Sequence, residues 1–124
     1  MRTMIVLHVA LGGALGAMAR YLCTLTFAFP FATVFVNVLG SLVMGVALVW
    51  LAEHGGDKGF DRWQPFVMTG VLGGFTTFSA FSLDTLRLIE GGELVAAVGY
   101  AIGTVVLCVA AVFAGVIAAR GVLL

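Results

Sequence analysis

Gly70-Val71-Leu72-Gly73-Gly74-Phe75-Thr76-Thr77-Phe78-Ser79-Ala80-Phe81-Ser82-Leu83-Asp84 sits inside an apolar run long enough to cross a membrane as a helix, yet it carries its own interruption. Each of the adjacent glycines Gly73 and Gly74 costs about 1 kcal/mol relative to Ala in a helix interior, and the β-branched pair Thr76-Thr77 adds a milder penalty. Hydrocarbon offers nothing to an unpaired N–H or C=O, so irregular backbone survives at that depth only where it lines a cavity or is buried in protein. The stretch therefore predicts a helix broken near Gly73 to Thr76, with a site at the break, because half-helix N-termini suit anions and freed carbonyls suit small cations. Four hydroxyls and three phenyl rings crowd the same residues. Taken alone, a Gly-Gly pair in a membrane helix reads more plainly as a packing hinge.

Working outward, the composition sets the class. With 62% apolar and 10% charged residues among 124, and a mean hydropathy of +1.19, the chain cannot present an ordinary soluble surface and is an integral membrane protein. Its formal charge is zero and it has no basic tail, so a nucleic-acid partner is set aside. Cys23 and Cys108 stand in apolar context without metal-binding or CxxC spacing and read as small hydrophobes. Four spans separate at the charges: about Thr3 to Cys23, Phe31 to Ala52, Pro65 to Ile89 and Leu94 to Ala119. Each is near the roughly 20 residues that cross a bilayer core as helix. Between them lie a short turn at Phe29-Pro30, a polar loop from Glu53 to Arg62 and a tight Glu90-Gly91-Gly92-Glu93 turn, so residues 1–124 are expected to form one all-α domain. Met1-Arg2, an apolar stretch and Ala17-Met18-Ala19 imitate a secretory signal, but Gly12, Gly13 and Gly16 recur at helix-packing spacing that a disposable leader would not need.

Helical spacing sorts the polar residues into stripes. His8, Gly12, Gly16 and Arg20 share one face, where the GxxxG spacing lets another backbone approach closely. Arg20 either snorkels to the interface or faces a vestibule and attracts anions, and His8 reads as structural. Thr33, Asn37 and Ser41 form a second stripe. Thr33 and Ser41 suit interhelical hydrogen bonding, whereas the Asn37 amide, costly to leave dry, carries two donors that an anion could use. Tyr100, Thr104 and Cys108 form the third, with Gly99-xxx-Gly103 beside it as a packing face.

Inside the spans there is no Lys and no run of acids, only hydroxyl and amide donors and phenyl rings. A ring's positive edge and a few donors can replace part of a small anion's hydration without holding it as tightly as Lys would, and conduction requires weak, repeated sites. Thr77 and Ser79 add hydroxyls beside Phe78 and Phe81. Four short helices hardly enclose a polar path alone, which places such a path between subunits. No nucleophile–base pair or metal cluster supports an enzyme. Two other readings stay open: a small proton-coupled multidrug exporter, which needs a carboxylate within the membrane, and a non-transporting assembly subunit whose small-residue faces only pack helices.

Three segments, Gly12-Gly-Ala-Leu-Gly16-Ala-Met-Ala-Arg20-Tyr21, Thr33-Val-Phe-Val-Asn37-Val-Leu-Gly40-Ser41 and Gly73-Gly-Phe-Thr76-Thr-Phe78-Ser-Ala-Phe81-Ser-Leu-Asp84, resemble the signatures of the CrcB/Fluc fluoride channels, in that family's order and over essentially the whole chain. The resemblance implies an antiparallel, dual-topology homodimer in the bacterial inner membrane, surrounded by lipid, with two fluoride pores at the subunit interface. It implies Phe78 and Phe81 as pore-lining rings, Asn37 as the amide donor, and Tyr100, Thr104 and Cys108 as a polar track. Arg20 and Asp84 would stand at the vestibules. Backbone carbonyls of Gly73 and Thr76, two from each subunit, would hold a central structural sodium ion. This chain carries Thr104 and Cys108 where the family often has Ser, and Asp84 where its acid is commonly Glu.

Overall fold

A computed structural model describes residues 1–123, and at residues 57, 59 and 60 the backbone alone. The elements are α1 (Arg2–Thr26), α2 (Phe31–His54), α3 (Gly56–Gln64), a π-helical segment (Pro65–Leu72), α4 (Gly73–Phe75), α5 (Phe78–Glu90) and α6 (Leu94–Leu123), with no strand among the described residues. Four helical runs are long and apolar enough to cross a membrane, Arg2–Thr26, Phe31–His54, Asp61–Glu90 and Leu94–Leu123, so this is a multi-pass membrane protein. Its outward faces are correspondingly apolar, with Val6, Leu11, Leu22, Val95, Val106 and Phe113 all exposed. Leu124, at the end of the chain, lies outside the described residues.

The expected loop from Glu53 to Arg62 is largely helix. The chain turns at Gly55 and Gly56, the latter at φ +58°, and re-enters helix as α3, which runs directly into the third span. Charges there mark the membrane boundary without ending the helix, because backbone hydrogen bonds are as well satisfied at the interface as in the core. The Glu90–Glu93 turn is tight as expected. Gly92, at φ +78°, donates to the Ile89 carbonyl at 3.0 Å while Glu93 donates to that of Leu88 at 2.9 Å, a Schellman arrangement that needs a left-handed residue.

Packing runs in two pairs. α1 lies against the π-helical segment and α4, and α2 lies against α6. In lipid the helices gain little from the hydrophobic effect on meeting, so close approach of backbones decides the crossing. A Cβ on Gly12 would lie 2.6 Å from the Phe66 carbonyl oxygen, and one on Gly74 would lie 2.6 Å from that of Gly13. Gly70 and Gly74 thus interleave with Gly12, Gly13 and Gly16, which accounts for the small-residue spacing of α1. The second crossing rests on Gly45 and Gly115, each facing the other helix's backbone. The face expected at Gly99 and Gly103 plays no such part, since a Cβ at either meets nothing within 4 Å. α2 is the buried centre, with Val36 and Leu51 each 1% exposed.

Candidate functional site

In the third span the helix is interrupted, but not at the paired glycines. Gly73 keeps helical angles, φ −64° and ψ −36°, and the backbone becomes extended at Thr76 (φ −83°, ψ 156°) and Thr77 (φ −153°, ψ 119°). β-branched residues tolerate extended backbone, whereas Gly74 stays in helix and packs closely against α1. Upstream, the π-helical turn Pro65–Leu72 already departs from regular α-helix.

Side chains from two other helices stand in for the missing helical hydrogen bonds. Asn37 is 9% exposed and grips Thr77 from both sides: its Oδ1 accepts the Thr77 N–H at 2.8 Å and its Nδ2 donates to the Thr77 carbonyl at 3.0 Å. Arg20 Nε donates to the Gly74 carbonyl at 3.1 Å. Thr77 caps α5 by accepting the Ala80 N–H on its hydroxyl at 3.1 Å, and that hydroxyl also meets Ser79 Oγ at 3.2 Å. An unbroken helix would send the Thr77 N–H to Gly73 and the Ala80 N–H to Thr76. Both amides go elsewhere, so the Gly73 and Thr76 carbonyls lose their helical partners. Oxygens of that kind, neutral and preoriented, suit a hard monovalent cation. One chain supplies only two of them.

Seven of the residues expected at the site, Asn37, Thr76, Thr77, Phe78, Phe81, Thr104 and Cys108, line one open-sided groove of about 320 Å³ between α2, the break and α6. Phe78 is 75% exposed, and its centroid lies 5.3 Å from that of Phe81 with the planes at 43°. Gly40 and Ser41 line the same groove. A Cβ on Gly40 would run into the Thr76 side chain, so this glycine is what lets the break approach α2. Met44 and three valines complete the wall and carry no chemical signal in the sequence.

Five of the expected residues, Gly73, Ser79, Tyr100, Arg20 and Asp84, are not in that lining. Tyr100 lines a second hollow of about 490 Å³ and is tied to the groove through Phe81, on which it stacks at 5.4 Å and 27°. Arg20 is half-buried at the break rather than free at a helix end. Asp84 is 6% exposed, its Oδ2 accepting from the Thr33 hydroxyl at 2.6 Å and from Tyr100 at 3.2 Å. In a single chain it is therefore a buried acceptor that anchors the aromatic ladder Phe78–Phe81–Tyr100. Thr33→Val removes one of its two donors and should lower stability in detergent by about 1–3 kcal/mol, read as a shift in thermal midpoint. An unchanged midpoint would show that the hydroxyl does not hold Asp84.

What faces the groove is a set of neutral donors between aromatic and aliphatic walls. Asn37 keeps its second N–H. Thr104, 5% exposed, lies between that groove and the hollow beside Tyr100 and lines both. Such donors can take over part of a small anion's hydration shell without fixing it in place.

A family model described as CrcB-like protein, Camphor Resistance (CrcB), matches residues 7–116. The chain is 52% identical over 120 residues to a fluoride-specific ion channel FluC of Paracoccus denitrificans, covering 93% of this chain and 94% of that one. It is 51% identical over 121 residues to the FluC of Cereibacter sphaeroides strain ATCC 17029, with 93% and 94% covered. A FluC 2 of Nitrobacter hamburgensis is 51% identical over 120 residues, with 92% and 95% covered.

Proposed function

The chain belongs to the CrcB-like family, and from that premise we propose that it is a fluoride-selective channel through which fluoride leaves the bacterial cytoplasm passively. The observation that carries the reading is the gathering of Asn37, Thr77, Phe78, Phe81, Thr104 and Cys108 on one groove, in a chain half identical to proteins named for that activity. Fluoride is compact and a strong acceptor, so the Asn37 N–H, the Thr104 hydroxyl and the ring edges of Phe78 and Phe81 offset its dehydration. Chloride is larger and a weaker acceptor, and gains less from the same donors. In liposomes holding the purified protein, fluoride efflux should be fast and chloride efflux close to that of protein-free vesicles; comparable rates for the two anions would sink the reading. An exporter reading has no support. Asp84, the carboxylate within the third span, is capped by two hydroxyls and does not line the groove.

Because the groove is open on one side, the path is completed by a second copy of the chain. Arg2, Lys58, Arg62 and Arg120 lie toward one end of the spans and Arg87 toward the other, with Arg20 held at the break, and a bias resting on so few residues lets the chain insert both ways and form an antiparallel homodimer. The Gly73 and Thr76 carbonyls of two copies would hold a structural sodium ion, which when bound supplies a fixed positive charge between them. Gly73 gives a direct test. It is exposed, helical, and a Cβ there approaches only the Met68 carbonyl, at 3.5 Å. Gly73→Val should therefore leave the single chain folded but abolish dimer formation and fluoride efflux, measured by single-molecule photobleaching in membranes and by efflux. A fully dimeric, active variant would refute the interface at this position.

A further inference from the structure

We infer that the hollow of about 490 Å³ beside Tyr100 is a binding site for a phospholipid with a primary ammonium head, phosphatidylethanolamine. That the hollow faces the bilayer rests on the channel reading above, in which a second copy closes the groove. Ala96, Gly99, Gly103 and Leu107 of α6 line the hollow alone, whereas Val105, Cys108, Val109 and Val112 line the groove alone. At 3.6 residues per turn the two sets point in directions roughly 180° apart, so a partner seated on the groove leaves the hollow turned to lipid. Its walls are apolar, from Phe29, Phe31, Val34, Leu88 and Leu107, and a Cβ on Gly99 or Gly103 would meet nothing within 4 Å. The lining runs from Glu93, beside the start of α6, to Leu107, about 20 Å of helix axis against roughly 15 Å of hydrocarbon in one leaflet, which is room for an acyl chain laid along the bare backbone. Charge selects the head. Glu93 is exposed at the outer end of the hollow, Glu90 precedes it on the same turn, and Arg87 is the basic residue in the last turn of α5. Two acids and one base suit an ammonium and a phosphate together, and disfavour a head that carries phosphate without ammonium.

The test uses the full chain in liposomes of phosphatidylethanolamine and phosphatidylglycerol, with a trace of either lipid carrying a photoreactive diazirine on its acyl chain, and locates the labelled residues by peptide mass spectrometry. The expected result is label from the phosphatidylethanolamine probe concentrated on residues 96–107 of α6 and 29–34 of α2, several-fold above the exposed face of α1, where Leu11, Leu15 and Leu22 report bulk lipid. Gly103→Leu puts a side chain into the hollow without a clash and should bring that labelling down to the level of α1. Glu93→Gln should keep the acyl contact and lower the preference for the phosphatidylethanolamine probe over the phosphatidylglycerol one about threefold, the scale of an exposed ion pair. Equal labelling of the hollow and of α1, or labelling that Gly103→Leu does not move, overturns the site. A head preference unchanged in Glu93→Gln overturns the selection by charge. An unlabelled hollow, in a protein whose dimer is lost on Gly103→Leu by single-molecule photobleaching, shows that a second copy covers it and overturns the proposal. The labelling needs no fluoride, so a protein that labels as expected but passes no fluoride overturns the channel reading and leaves the lipid site standing.

Discussion

Asn37→Asp should reduce fluoride efflux to that of protein-free liposomes while the protein remains folded and oligomeric. The substitution keeps the size of the side chain and one of its two bonds, since a carboxylate still accepts the Thr77 N–H now held at 2.8 Å. What it loses is the donor to the Thr77 carbonyl, at 3.0 Å, and in its place a carboxylate oxygen faces a carbonyl oxygen. Leaving that acceptor unpaired costs about 1–3 kcal/mol, which shifts the break without unfolding four helices. The second amide N–H, which faces no protein acceptor in the groove, also disappears, and a negative charge takes its position on the path of an anion. The effect on rate should therefore far exceed the effect on stability. Unchanged efflux from a well-folded Asn37→Asp protein would reduce Asn37 to interhelical glue.

Gly16→Val should have the opposite profile, a loss of the folded protein itself. A Cβ at Gly16 would overlap the Val71 carbonyl oxygen and lie 2.7 Å from the Phe75 amide nitrogen. Both are backbone atoms, so no rotamer change relieves the clash, and α1 would have to move off the third span along its length. Overpacking by side chains alone costs about 1–3 kcal/mol, and displacement of backbone costs more, against total stabilities of about 5–15 kcal/mol. Gly13→Ala, one helical turn away, is the control, because a Cβ there meets nothing within 4 Å. The measurement is the monodisperse fraction after extraction in mild detergent: near zero for Gly16→Val, unchanged for Gly13→Ala. A monodisperse Gly16→Val protein would mean that α1 is not held by this crossing.

The sequence is most legible where one residue type has one physical use in lipid. Runs of apolar residues set the four spans, and Gly12 with Gly16 reads as a close crossing because a glycine on a membrane helix gains nothing else. Glycine at Gly99 and Gly103 misleads for the same reason: spacing shows where a backbone could approach, not whether one does, and Gly45 and Gly115, which lack the GxxxG spacing, make the second crossing. The expected break from Gly73 to Thr76 is met only at its last residue: Gly73 and Gly74 stay helical, Gly74 with α1 packed on its bare backbone, and the chain becomes extended at Thr76 and Thr77. The gathering of Asn37, Phe78 and Thr104 on one groove depends on which faces α2 and α6 turn to each other, information that helical periodicity supplies only up to an unknown rotation. The resemblance places Asp84 at a vestibule, and nothing in its local sequence shows that it is buried. Its burial depends on Thr33 and Tyr100, 51 and 16 residues away.

The bonds that replace the missing helical ones at the break come from Arg20 and Asn37. Both precede the third span in the chain. During synthesis the N-terminal part of a chain is the first to be inserted and to pack. The first two spans are therefore already in the bilayer, holding a free guanidinium and a free amide, when Thr76 and Thr77 arrive beside them. The stand-ins from α1 and α2 are present before they are needed, Thr77 brings its own hydroxyl for the Ala80 N–H, and the third span never has to sit in lipid with its interruption bare. Translated last, α6 has no such repair to make, and instead brings Thr104 and Cys108 to the far wall of a groove whose near wall has already set.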